Sequence, residues 1–202
     1  MPFIIIVIGK PGSGKSTFIQ FLGSKFQRHS ANQIQIFNDR EILLEMARGN
    51  DWRHLIRPLD SMNFEIVDDL AYDIAVDQLI SKLREVEDDQ VLLVEFSRKE
   101  YLKTFPRFES LFSDSGSLVV YLDTPFHICK ARNIERAISN NSHLVPSGEM
   151  ESYFKVDDIE QLISVYPEQV VVLKNESALT ALVQQIDEIW PTIQQTISQR
   201  RE

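Results

Sequence analysis

A chain of 202 residues suits one α/β core and falls short of the length at which two domains become the default. Its 43% hydrophobic and 25% charged residues exclude general disorder, and a net charge of −9 disfavours a polynucleotide partner, which is normally held by a basic face that exchanges counterions. A single cysteine, Cys129, excludes an intrachain disulfide and fits a reducing cytoplasm, and its helix-like surroundings mark a buried thiol rather than a nucleophile.

The first apolar run, Phe3 to Ile8, is too short to cross a membrane and reads as a buried strand. It leads directly into Gly9-Lys10-Pro11-Gly12-Ser13-Gly14-Lys15-Ser16, which meets G-x-x-x-x-G-K-[ST] at every fixed position. In such a P-loop, glycines let backbone N–H groups wrap a phosphate, and the following helix directs its positive end at the same anion. Lys15 then reaches the β- and γ-phosphates and the Ser16 hydroxyl ligates Mg²⁺, with Thr17 adjacent, so ATP and Mg²⁺ are the expected cofactors.

Further runs rich in branched residues, 33–37, 91–96, 118–122 and 170–173, are expected strands. Between the second and third strands, Val67, Leu70, Ala71 and Ile74 recur at i, i+3, i+4 and i+7, and Val76, Leu79, Ile80 and Leu83 repeat the spacing of an amphipathic helix. Residues 139–143 read as a polar loop, and Leu179, Leu182, Val183 and Ile186 open a last helix that Pro191 stops or kinks. Continuous apolar strands alternating with helices imply a parallel sheet covered on both faces, with ligands at the carboxyl ends of its strands. The four histidines lie far apart and form no zinc motif, which leaves Mg²⁺ as the only implied metal.

The form Gly-Lys-Pro-Gly-Ser-Gly-Lys-Ser-Thr resembles the P-loop of adenylate kinase and its relatives, the nucleoside and nucleotide kinase group, and the order of the remaining elements extends the likeness over most of the chain. The resemblance implies a P-loop NTPase-like α/β fold: a single domain, 1–202, with a five-stranded parallel sheet of order 2-3-1-4-5. It also implies an acceptor-binding region over 40–90 and a lid over 126–155. The implied activity is transfer of the ATP γ-phosphoryl group to a small acceptor such as a nucleoside or nucleotide.

Several residues take roles from that likeness. Asp39 follows the second strand, where related kinases place an acidic residue beside the acceptor hydroxyl; it is either the base or, in competition with Asn38, a helix N-cap. Arg40 is a candidate for an acceptor anion. Val91 to Phe96 resembles a Walker-B strand in which Glu95 holds Mg²⁺ through water, or else Glu95 is a charged strand end. Arg98 faces the same site as a substrate-binding residue or pairs with Glu100 on the surface. Arg132 and Arg136 resemble lid arginines over the transferring phosphoryl group, the alternative being a solvated helix face. Lys174 and Asn175 follow the last strand, where related kinases pack the adenine. No Asn-Lys-x-Asp sequence follows it, so ATP is preferred to GTP. Two other readings stay open: an ATP-responsive switch with slow hydrolysis, and a polynucleotide 5′-hydroxyl kinase, which Asp39-Arg40 resembles.

Overall fold

Every residue of strand β1 (Phe3–Ile8) is buried, because this strand lies at the centre of the sheet with helices on both faces. The computed structural model describes residues 2–30, 32–87, 89–109, 111, 117–140 and 144–199. After β1, the elements are α1 (Lys15–His29), β2 (Ile34–Asn38), α2 (Asp39–Arg48), β3 (Ile56–Pro58), β4 (Phe64–Ile66), α3 (Leu70–Arg84) and β5 (Val91–Phe96). A short 3₁₀ helix (Phe105–Phe108) precedes β6 (Ser117–Asp123), α4 (Phe126–Asn140), α5 (Ser147–Phe154), α6 (Ile159–Val165), β7 (Val170–Lys174) and α7 (Leu179–Gln199).

The main sheet is parallel with the order β2-β5-β1-β6-β7. Counting only its own strands, this is 2-3-1-4-5, the expected order. Alternation along the strands sorts the core into two layers. Ile4, Ile6 and Ile8 join Leu92, Val94 and Phe96 under α2, α3 and the 3₁₀ helix. Phe3, Ile5 and Val7 face α1 and α7, where Phe26 meets Trp190 edge-on at 4.8 Å.

Two sequence expectations change, and the alternatives at Pro191 narrow. Val67 lies outside α3 because its N–H donates to Leu55 O at 2.8 Å, so the first turn of the apolar pattern is spent on a loop contact. Pro191 does not stop α7, which runs on to Gln199. An internal proline costs about 3 kcal/mol, and burial of Trp190 and Ile193 on either side of it, at about 1.5–3 kcal/mol per large side chain, offsets that loss. Helix α4 includes Ser139 and Asn140, so the polar stretch begins later than expected; Asn141, Ser142 and His143 lie outside the described residues.

The antiparallel β3–β4 hairpin, with Ile56 opposite Ile66 and Pro58 opposite Phe64, was hidden by the brevity of its strands. Its turn is built by Asp60, whose Oδ1 accepts from the N–H groups of Met62 at 2.7 Å and Asn63 at 2.8 Å.

Candidate active site

Parallel register places the carboxyl ends of three strands side by side: Val7 and Asn38 are both level with Glu95, and Ile8 is level with Phe96. The chain then leaves β1 through a loop whose turns depend on glycine. Gly12 has φ +82°, and a Cβ there would lie 2.4 Å from Cys129 O on α4. Gly14, at φ +95°, begins α1. Gly12→Ala is therefore expected to lower stability by roughly 2–5 kcal/mol, about 1–2 from left-handed backbone and 1–3 from overpacking. Chemical denaturation checks it, and a loss under about 1 kcal/mol contradicts the close approach.

The loop is braced from outside. Gly9 N–H donates to Tyr101 Oη at 3.0 Å, Ser97 Oγ donates to Gly9 O at 3.0 Å, and Ser13 O accepts from Thr124 Oγ1 at 3.2 Å and Asn175 Nδ2 at 2.7 Å. Lys10 does not face the loop interior. Its buried ammonium donates to Lys99 O and Val156 O, both at 3.1 Å, and lies 5.2 Å from the centre of the Tyr101 ring.

Lys15 is buried and donates to Gly9 O at 3.1 Å and Lys10 O at 3.3 Å. Burial pulls its pKa down, and the nearby carboxylates of Glu95 and Asp39 oppose that shift. Ser16 Oγ donates to Glu95 Oε1 at 3.0 Å, so the hydroxyl of the P-loop and the carboxylate of β5 form one oxygen-rich pair. Hard cations such as Mg²⁺ take oxygen ligands and are commonly bound by one or two carboxylates plus substrate phosphates and water. The pair fits that role; among the described residues no group of three or more His, Cys, Asp or Glu could hold a metal without a substrate. Thr17 is half-buried on α1.

Asn38 caps α2: its Oδ1 accepts from Arg40 N–H at 2.7 Å. That leaves the carboxylate of Asp39, the first residue of the helix, for other work. It is buried and ion-paired with Arg98. Arg98 is also buried: it donates to Ser97 O at 2.6 Å and Tyr72 O at 3.2 Å, and its guanidinium lies 4.8 Å and 5.4 Å from the ring centres of Tyr72 and Phe96. It therefore stands behind the cleft wall, holding Asp39, and makes no surface pair with Glu100.

One cleft of ≈ 150 Å³ joins these groups. Pro11, Gly12, Lys15, Ser16 and Glu95 line its phosphate side, and Asp39, Arg40, Phe64, Tyr72, Arg136, Glu149 and Tyr153 complete the wall. Burial lowers the pKa of Arg40, and the neighbouring Arg136 adds to the effect. The two lid-helix arginines diverge. Arg136 enters the cleft, whereas Arg132 reaches Asn175 Oδ1 at 3.5 Å above the P-loop, with its Nη1 buried and unbonded among the described residues. Lys174 is exposed and lies outside the cleft. Trp52, Arg53 and Arg57, from the acceptor-region segment, also lie outside it.

Glu149 and Tyr153 were not singled out by sequence reasoning. They come from α5 and meet Tyr72 of α3: the phenolic oxygens are 2.7 Å apart, and Tyr72 Oη donates to Glu149 Oε1 at 3.5 Å. Cys129 is buried on α4, and burial pushes its thiol up to about 11, which suits a packed residue rather than a nucleophile.

A strand–glycine loop–helix unit at the centre of a 2-3-1-4-5 parallel sheet defines a P-loop NTPase with the fold of the small-molecule kinases. A family model described as an AAA domain matches residues 5–152, and the chain belongs to that family. Among solved structures, it is similar to shikimate kinase from Acinetobacter baumannii in complex with shikimate, with a TM-score of 0.55 and 16% identity over 96% of this chain and 94% of that one. It is similar to Kti12 from Chaetomium thermophilum in complex with ADP-AlF3, with a TM-score of 0.58 and 14% identity over 93% of this chain and 97% of that one. It is also similar to an unliganded sugar kinase from Janibacter sp. HTCC2649, with a TM-score of 0.51 and 15% identity over 92% of each chain. No curated protein gives a significant match. Among the described residues, no helix is long and apolar enough to cross a membrane.

Proposed function

We propose that this protein is an ATP-dependent phosphotransferase that moves the γ-phosphoryl group to a hydroxyl of a small acceptor. The observation that carries the reading is the Asp39 carboxylate, released from capping by Asn38, fixed by Arg98, and lining the same cleft as Lys15, Ser16 and Glu95. A switch needs the phosphate groups but has no use for a second carboxylate presented to them.

The P-loop amides and Lys15 hold the β- and γ-phosphates, and Ser16 with Glu95 would hold the Mg²⁺ that travels with ATP. Bound there, Mg²⁺ would neutralise charge on the phosphate oxygens. Asp39 orients the acceptor hydroxyl and accepts its proton as the acceptor oxygen bonds to the γ-phosphorus. The bond from that phosphorus to the β,γ-bridging oxygen breaks, and ADP leaves with the electron pair. Arg136 meets the charge on the transferring group. Arg132 and Asn175 serve the donor side, where Ser13 Oγ and Arg132 Nη1 are buried donors that protein groups leave unbonded among the described residues.

The chain acts as one domain, with residues 40–90 supplying Arg40, Phe64 and Tyr72 to the acceptor and residues 126–155 closing over it. The net charge and the ≈ 150 Å³ cleft favour a small molecule over a polynucleotide, since sites for drug-sized ligands run to roughly 300–1,000 Å³.

The test incubates the protein with MgATP and pooled small alcohols and identifies products that have gained a phosphoryl group. ATP consumed with only ADP and inorganic phosphate released identifies a slow ATPase instead. In the double variant Arg132→Ala/Arg136→Ala, turnover is expected to fall by roughly 10²-fold or more, the loss typical of removing a group that binds developing charge. Ground-state ATP affinity should fall far less. Unchanged turnover removes both arginines from the reaction.

A further inference from the structure

The part of the cleft built by α3 and α5 carries polar atoms of one kind. Tyr72 Oη donates to Glu149 Oε1 at 3.5 Å, and with that proton committed Tyr153 Oη is left as the donor in the 2.7 Å bond between the two phenols. Both phenolic protons are thereby used inside the cluster. What it offers a ligand is lone pairs, on the Glu149 carboxylate and on the phenolic oxygens. Burial raises the pKa of both tyrosines, which keeps their hydroxyls protonated, and raises that of Glu149.

Glu149 also lacks a counter-charge. Among the described residues no lysine or arginine forms an ion pair with it; Lys99, the cation that acts on it most, is paired with Asp69 at 2.9 Å. The cleft shared with Glu149 includes the apolar side chains of Phe64 and Val145, which lower the local dielectric and strengthen any ion pair formed there. Beside Glu149 an anionic ligand group would meet like charge, whereas an ammonium supplies charge and N–H donors together; Arg40 and Arg136, which line the same cleft, come from α2 and α4.

Resting on the phosphotransfer reading above, we propose that Glu149, with Tyr72 and Tyr153, selects acceptors that carry a protonated amine besides the hydroxyl to be phosphorylated: amino alcohols or amino sugars by chemical class. Asp39 takes the hydroxyl and Glu149 takes the amine. Glu149 is a specificity residue in the acceptor site and has no part in the bond that breaks.

The full chain is assayed with MgATP against two matched triads, serinol, glycerol and glycerate, and glucosamine, glucose and glucuronate. Binding of each compound is measured separately by calorimetry in the presence of a non-hydrolysable ATP analogue. The expected result is a preference of at least about tenfold for the amine in one triad, a factor worth 1.4 kcal/mol. Glu149→Gln, which keeps the shape and still accepts from Tyr72, should raise KM for that amine by about tenfold or more while KM for MgATP holds. Preference for the neutral or anionic member overturns the proposal, as does an amine preference that survives Glu149→Gln or no amine binding at all. Amine binding that depends on Glu149, with no phosphorylated product, upholds this site and overturns the phosphotransfer reading.

Discussion

Lys15→Ala is expected to abolish phosphoryl transfer, by at least ~10³-fold, while the free protein melts no lower than the wild type. The rate expectation follows from the loss of a full charge where single transition-state donors already account for about 10²–10³. The stability expectation follows from the buried ammonium, whose hydrogen bonds among the described residues go to two backbone carbonyls and whose pKa burial draws down more than the nearby Glu95 and Asp39 carboxylates raise it. A buried charge whose desolvation outweighs the attraction of its neighbours costs the fold more than it returns. Wild-type protein at an ATP concentration of 100 Kd gains about 2.7 kcal/mol from ligation, and the variant should lose most of that gain. Turnover at saturating MgATP and melting curves with and without nucleotide check both arms. Preserved turnover refutes the assignment of Lys15, and a large drop in the melting temperature of the free protein makes Lys15 a structural residue.

Asp39→Asn should lower transfer by about 10²–10⁴-fold, the usual contribution of a positioned base, with ATP affinity nearly unchanged. The choice of asparagine matters. Arg98 is buried against Asp39 and two backbone carbonyls, and removing one partner of such a pair costs about 3–5 kcal/mol. Alanine would therefore confuse loss of chemistry with loss of fold. Asparagine keeps a hydrogen-bonding oxygen for the guanidinium and deletes the carboxylate's charge together with its ability to take a proton, so a melting curve of the variant accompanies the rate measurement. An equal fall in ATP affinity moves Asp39 to the donor or metal side, and unchanged transfer removes it from the reaction.

The phosphate loop was legible because it is contiguous: β1, the glycines and the start of α1 encode their geometry within one short stretch. The two-layer core was legible for a related reason, since runs such as Val91 to Phe96 carry apolar side chains to both faces. Contacts across space were not. Whether Asn38 or Asp39 caps α2 turns on one hydrogen bond to Arg40 N–H that either sequence position could have made. Lys10 sits inside the motif, yet its side chain leaves the loop, because Lys99 O, Val156 O and the Tyr101 ring converge there from remote parts of the chain. Glu149 and Tyr153 carry no local signature, and their place in the cleft exists only once α5 folds against α3. Arg98 looked like a surface or substrate residue because Tyr72, whose ring and carbonyl help to enclose it, lies far away in the sequence.

The approach of Cys129 O to Gly12, together with the Lys10 strap, divides the molecule by stiffness. The root of α4 is pressed onto the P-loop, and Lys10 ties that loop to the segments beyond β5 and beyond α5. Arg132, about one turn from the root, inherits that rigidity, and Arg136 sits a further turn out along α4. Nucleotide recognition thus rests on the part of the chain least free to drift through evolutionary time. On the phosphotransfer reading, acceptor recognition draws on side chains such as Arg136 and Glu149 that take no part in that brace, so homologues of this chain should share one donor and diverge in what they phosphorylate.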